Sequence, residues 1–364
     1  MLHPSHLNGG EKMKIYIYAI AKNERQFCER FMRSCTGADG VAVLDTGSTD
    51  GTAEKLRELG AAVDVSSISP WRFDVARNMS LELVPEEADV CISLDLDEVL
   101  NEGWREAVER AWSEGTRRGR YLYVWSHNGA EDGVTFYADK IHSRRGWTWK
   151  YPVHEVLSGE GESILIPGLR VDHWPDDTKS RASYLPLLEL AVSEDPANDR
   201  NMHYLGREYY FHRQWGRAIE TLMRHLAMPS AIWRAERAAS MRYIARCCAA
   251  LGDGLSAVHW LERAAQEAPT QREAPYELAM YYYRAEQWAE CLYWARKTLA
   301  ITQRDNNYMT DPAAWGAEPY DLAAIAAWHM KEYGLSVYMA AWAVKVAPED
   351  ERLRNNLSLI RRYA

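Results

Sequence analysis

From Lys14 to about His173, short apolar runs alternate with amphipathic stretches, and after Pro175 that alternation stops. Runs at 15–20, 41–44, 62–65, 90–94 and 121–125 have the length and apolar content of strands. Between them, 25–35, 52–59, 74–83 and 102–114 read as helices, at connection lengths that suit crossover units. This pattern predicts an α/β domain with a mainly parallel sheet, whose ligands bind at the carboxyl ends of the strands. Polar clusters fall at those ends: Lys22, Asn23 and Glu24 after the first run, 45–52 after the second, and Asp95 to Glu98 after the fourth.

Beyond Pro175 the strand signals vanish and helix-period patterns rich in Ala, Leu, Tyr, Trp and Arg run to the end. Small residues recur where paired helices would cross: Gly206 with Ala218, Ala245 with Ala257, Ala279 with Cys291, and Ala324 with Ala340. Four degenerate tetratricopeptide-like hairpins follow, at intervals of 39, 34 and 45 residues against an ideal of about 34. The widest interval holds an insertion at 302–319. A generic helical bundle is the competing reading. Stacked helical repeats present a surface for another chain, so partner binding, acceptor recognition or homodimerisation is the expected role of this half.

At 364 residues the chain has room for two domains. We place a polar leader or expression remnant at 1–12, the α/β domain at 13–178 and the repeat domain at 179–364. No apolar run nears the ~18 residues of a spanning helix, and the first dozen residues lack a signal-peptide core, so no membrane span and a cytoplasmic location are expected. The six cysteines form no CxxC pair and read as reduced, buried thiols. A net charge of −9 disfavours nucleic acid as a partner.

The candidate chemistry centres on Asp95 and Asp97. Carboxylates at i and i+2 after an apolar strand can face one divalent cation, directly or through water, and an all-oxygen set suits Mn²⁺ or Mg²⁺. The pattern alone is also common in solvated turns. In VLDTGSTDGT at 43–52, Asp45 could accept hydrogen bonds from a base or ribose. Gly47 and Gly51 permit a tight turn there, and Ser48, Thr49 or Asp50 could cap the next helix. An ordinary strand-turn-helix junction explains the hydroxyls and glycines equally well.

AKNE at 21–24, DTGSTDGT at 45–52, PWRFDVARN at 70–78, LDLDE at 94–98, PVHE at 152–155 and VDHW at 171–174 occur in this order. Together they resemble the family-2 glycosyltransferases with a tetratricopeptide tail, including the sublancin-type peptide S-glycosyltransferases. The resemblance implies a GT-A-like nucleotide-sugar-binding α/β domain followed by an all-α repeat domain. It places Asn23, Glu24 and Asp45 at the nucleotide end of the donor pocket. Arg77 falls near the diphosphate or the acidic pair, and Asp74 orders its loop. The acidic motif, Leu96 included, is assigned to the donor site, although strand alternation turns the Leu96 side chain toward the core. Asp97 is the direct metal ligand, Asp95 lies nearer the ribose and metal-bound water, and His173 completes the shell. Glu155, with His154 beside it, is the first choice of base for the acceptor proton. The alternative is that this pair only orders a loop. Arg144, Arg145, Trp147, Trp149 and Tyr151 are expected to wall the sugar.

The implied reaction is inverting transfer from a nucleotide-sugar, UDP-glucose being the expected donor type, to a peptide or protein side chain. A saccharide or a modified nucleobase in DNA is the alternative acceptor. A nucleotidyltransferase and a noncatalytic repeat-based adaptor with a degenerate α/β half are the competing functions.

Overall fold

The structure is a computed structural model that describes residues 12–128, 131–176 and 184–364. Most of the expected leader and the expected boundary at 178–179 lie outside the described residues. The chain divides into two compact units, Met1–Ala191 and Val192–Ala364.

In the first unit, strands β1 (Ile15–Ala21), β2 (Gly40–Asp45), β3 (Ala62–Val65) and β4 (Val90–Ser93) pair in parallel, in the order β3-β2-β1-β4. Helices α1 (Cys28–Ser34), α2 (Thr52–Glu58) and α3 (Phe73–Glu82) lie between them in the chain. A short β5 (Glu98–Leu100) and α4 (Trp104–Ala111) lead into β6 (Thr116–Val124). A two-residue hairpin of β7 (His127–Asn128) and β8 (Glu131–Asp132) then leads to β9 (Thr135–Ser143). A second small hairpin, β10 (Trp147–Lys150) with β11 (Val156–Gly159), precedes the long β12 (Glu162–His173).

The main sheet has eight strands in the order β3-β2-β1-β4-β9-β6-β12-β5. Alternation along β1 explains why it is central: Ile15, Ile17 and Ala19 pack with Phe31, Leu94, Leu96 and Val108 on one face, while Tyr18 packs with Leu81, Val84, Trp147 and Trp149 on the other.

All five expected strands and all four expected helices are present, but the sheet is mixed: four of its seven strand pairings are parallel and three are antiparallel. Strand β9 runs antiparallel to both neighbours, β4 and β6, and β5 runs antiparallel to β12. The mixed sheet corrects the expectation of a GT-A-like nucleotide-sugar-binding domain. Crossover helices supply only the β3-β2-β1-β4 half. In the other half, β6 and β9 are joined through the β7–β8 hairpin and pair antiparallel, while β12 returns to pair in parallel with β6.

In the second unit the helices pair as expected: α6 (Asp199–Phe211) with α7 (Trp215–Ala227), α8 (Arg234–Ala250) with α9 (Gly254–Glu267), and α10 (Glu273–Arg284) with α11 (Trp288–Ala300). After a four-residue α12 (Pro312–Trp315), α13 (Glu318–His329) pairs with α14 (Tyr333–Val346), and α15 (Glu351–Tyr363) packs on α14. Another helix, α5 (Tyr184–Glu194), spans the boundary between the units. The crossing residues Ala218, Ala245, Ala257, Ala279, Cys291, Ala324 and Ala340 are buried, and Gly206 lies directly against Leu222. First helices also touch the next first helices, α6 with α8 and α10 with α13, which is how a helical repeat stacks. The second unit is therefore a tetratricopeptide-type helical repeat. All six cysteines are buried and free.

Candidate functional site

The parallel register of β1, β2 and β4 brings three chain segments to one edge of the sheet, because Ala21 lies opposite Asp45 and Tyr18 lies opposite Ser93. At that edge Asn23, in a left-handed conformation (φ 55°), clamps the neighbouring turn. Its backbone N–H donates to Ser48 Oγ (2.8 Å), and its Oδ1 accepts the Thr49 N–H (2.8 Å). The Glu24 N–H donates to Thr52 Oγ1. Asp45 is buried; its Oδ1 accepts the Gly47 and Ser48 N–H groups, while its Oδ2 is buried without a hydrogen-bond partner. Gly47 and Gly51 both adopt positive φ, Gly51 is the N-cap of α2, and Asp50 before it accepts the Thr52 N–H. Asn23 and Glu24 thus shape the loop, and Asp45 leaves one oxygen for a ligand.

Helix α3 contributes Arg77. Asp74, at its start, is held by a two-pronged ion pair with Arg72. The Phe73 N–H donates to the Pro152 carbonyl, and Asn78 exchanges two hydrogen bonds with the Trp149 backbone. These contacts bring 152–155 beside α3. Arg77 is buried, donates Nε to Glu155 Oε1 and Nη2 to Asp95 Oδ1 (both 2.7 Å), and stacks over Trp149 at 5.2 Å. Its Nη1 is buried without a hydrogen-bond partner. Burial opposes the charge on Arg77, but Asp95 and Glu155 outweigh it and hold its pKa well above the ordinary value.

Burial alone would raise the Asp95 pKa, yet Arg77 and Lys140 hold the carboxyl well below the usual range. Lys140, on β9, reaches Glu98 Oε1 at 3.1 Å and Asp95 Oδ2 at 3.6 Å. Glu98 is buried and also accepts from Tyr123 Oη (2.7 Å) and the Asp95 N–H (3.0 Å). Lys140 and Glu98 complete the cluster; Glu98 closes the LDLDE motif, whereas no sequence pattern marked Lys140 for a role.

Asp97 and His173 form a second focus. Asp97 Oδ2 lies 3.5 Å from His173 Nε2, and His173 Nδ1 lies 3.1 Å from the Trp125 carbonyl. Donation from Nδ1 to that carbonyl leaves the Nε2 lone pair facing Asp97, the arrangement that orients imidazole ligands of metal ions. Burial lowers the His173 pKa, but Asp97, the Trp125 carbonyl and Glu98 together raise it above its ordinary value. Trp125 stacks on His173 at 4.6 Å and is half exposed; Trp174, also exposed, stacks on His127 at 4.0 Å.

At the first focus Asp95, Glu98 and Glu155 face Arg77 and Lys140, so the carboxylates outnumber the permanent cations there. That balance suits a divalent cation.

Three sequence expectations need correction. Asp95 does not join Asp97 and His173 in one compact ligand set, because Arg77 and Lys140 engage it. Among the described residues, the groups of three that converge are His127 with Asp132 and Asp172, and Asp199 with His225 and Glu236. In the first of these Arg170 already forks onto both aspartates. The Leu96 side chain is wholly buried in the sheet core, as strand alternation predicts. Trp147 and Trp149 are core residues as well. Trp149 Nε1 donates to Tyr18 Oη, which pairs with His142 Nε2 at 2.7 Å; Trp149 lies beneath Arg77 and Trp147 beneath Arg118, so neither walls a sugar. His154 adopts positive φ and meets Tyr184 edge-on at 5.8 Å. Glu155 is bound to Arg77, a geometry that positions the arginine.

No family model and no curated protein matches the chain. Solved structures that resemble it include repeat proteins. MamA is 16% identical over 47% of this chain and 91% of its own (TM-score 0.38). YrrB, described as a tetratricopeptide protein with an unusual peptide-binding site, is 16% identical over 46% and 78% (TM-score 0.34). The C-terminal part of a tetratricopeptide protein from Cytophaga hutchinsonii is 12% identical over 49% and 64% (TM-score 0.41). With no family model matching, the family-2 assignment drawn from the ordered motifs is withdrawn. No helix among the described residues is long and apolar enough to cross a membrane.

Proposed function

We propose that this chain is a partner-binding protein whose helical-repeat unit holds a peptide or protein segment. The observation that supports this reading is the uninterrupted stacking of helix pairs through small crossing residues, a construction that yields an extended binding surface. Panning a displayed random-peptide library on the full chain tests it. Reproducible enrichment of peptides supports the reading, and a folded chain that enriches none overturns it.

A second reading is favoured by the polar cluster of the first unit: metal-dependent transfer from a nucleotide-sugar, with UDP as the expected base, to a side chain of the bound partner. Asp97 and His173 would hold Mn²⁺ or Mg²⁺, which would neutralise charge on the leaving diphosphate. Arg77 would orient phosphate oxygens, and the oxygen left free on Asp45 would take the nucleoside. The acceptor atom would bond to the anomeric carbon as the bond to the diphosphate breaks, its proton passing to a carboxylate such as Glu155. Calorimetric titration of UDP and UDP-glucose with Mn²⁺ or with EDTA, on the wild type and Asp97→Ala, decides it. Metal-dependent binding lost in the variant supports transfer, whereas no nucleotide binding leaves a noncatalytic adaptor.

A further inference from the structure

The second unit contains a pocket of about 210 Å³ between α6, α8 and the insertion that follows α11. Arg207, Arg242, Tyr243, Arg246, Tyr308 and Asp311 contribute to its lining. Arg242 and Arg246 lie one turn apart on α8 and therefore share a face. Both donate to Glu277 of α10: Arg242 Nε at 2.5 Å, Arg246 Nη2 at 2.7 Å and Arg246 Nε at 3.1 Å. Arg242 Nη2 is also 3.9 Å from Asp311 Oδ2.

The third guanidinium is different. Arg207 stacks over Tyr204 at 4.5 Å, and its Nε is buried without a hydrogen-bond partner. A buried, unsatisfied donor on a charged group is costly unless something supplies an acceptor. The insertion that closes this side is fixed in place. The Asp311 N–H and Trp315 Nε1 both donate to Glu273 Oε1, at 3.0 and 2.9 Å, and Arg272 stacks over Trp315 at 4.4 Å.

Three guanidinium groups therefore face two carboxylates, Glu277 and Asp311, and the pocket is short of one negative charge. We infer that it receives the side-chain carboxylate of an aspartate or glutamate in the bound peptide, with the Arg207 fork as its principal donor. A carboxylate matches the missing charge, whereas a phosphate group would bring about 1.5–2 negative charges and overshoot it. The volume is below the ~300–1,000 Å³ that encloses drug-sized ligands, so it suits one side chain rather than a nucleotide. Planar guanidinium groups pair with carboxylates through parallel hydrogen bonds, and Tyr243 offers an aromatic wall to the methylene stem.

This inference rests on the peptide-binding reading. The same random-peptide library is panned on the full chain and on Arg207→Gln, with circular dichroism confirming that both are folded and Arg207→Lys as a second variant. The expected result is a position enriched in Asp or Glu on the wild type and not on Arg207→Gln. An enriched peptide made with Gln or Asn at that position should bind at least about tenfold more weakly, a charge-assisted pair's worth of affinity, with Arg207→Lys intermediate. Peptides that enrich without an acidic position, or whose acidic preference survives Arg207→Gln, overturn the inference and leave the peptide-binding reading intact. Displacement of the peptide by inorganic phosphate well below the concentration of acetate needed overturns the choice of a carboxylate. No enrichment at all overturns both readings.

Discussion

Replacing Arg77 by Met tests whether the cluster at the sheet edge is organised around one buried cation. The arginine bridges Asp95 and Glu155 at 2.7 Å each, so its removal leaves two carboxylates without their shared partner. Breaking a buried ion pair by deleting one member costs about 3–5 kcal/mol. The Asp95 side chain is 34% exposed and keeps Lys140 at 3.6 Å, so solvent and lysine cover part of its loss. Glu155, at 12% exposed, bears most of it. The expected destabilisation is therefore near the lower bound, about 3 kcal/mol, which for a unit of this size lowers the transition midpoint by about 6–12 °C.

Scanning calorimetry at neutral pH reads this directly. Because the Asp95 pKa is depressed in the folded state, its contribution is present above the unfolded value and lost as pH falls through the folded one. The gap between wild type and Arg77→Met should accordingly narrow in acid. The paired variant Arg77→Met with Glu155→Leu removes the stranded charge as well and should recover part of the loss. A midpoint drop under about 2 °C, or a double variant no better than the single one, would refute the account.

Two further outcomes follow from packing and titration. A Cβ on Gly206 would sit 2.5 Å from Leu222 Cγ and 3.3 Å from the Leu222 backbone nitrogen, whereas one on Gly216 meets nothing within 4 Å. Gly206→Ala should lose about 1 kcal/mol, overpacking outweighing helix propensity, and Gly216→Ala should gain up to about 1 kcal/mol; urea midpoints compare the two. Burial holds the His142 pKa down from 6.5 to about 4, so the unfolded chain takes up that proton first. Stability should fall by about 3 kcal/mol as pH drops through that range, a loss that His142→Gln should lack when unfolding is measured near neutrality and again in acid.

The repeat unit was legible because its architecture depends on residue size at fixed spacing. Ala218, Ala257, Cys291 and Ala340 allow neighbouring helices to approach, and nothing else explains small residues recurring within otherwise bulky helices. Strands β1, β2 and β4 were legible for the same kind of reason, since strands buried on both faces read as continuous apolar runs.

The other half broke those rules. Strand β9 carries Asp139 and Lys140 because one of its faces serves the polar cluster, which erases the alternation that would mark it. Strand β12 contains Pro167 and Gly168 where its pairing with β6 shifts register, so it reads as a turn. The ordered motifs named Arg77, Asp95 and Glu155 but could not give their partners. An arginine on a helix can face a phosphate or be spent on two carboxylates, and only the packing of α3 against the 147–155 segment decides between them. That distinction governs what the edge can bind. With Asp95 and Glu155 engaged, the groups still available to a ligand are the free oxygen of Asp45, the unpaired Nη1 of Arg77 and the Asp97–His173 pair. A ligand that meets all three must present a donor, an anionic group and a metal-binding oxygen together, and the nucleotide titration tests for those three properties.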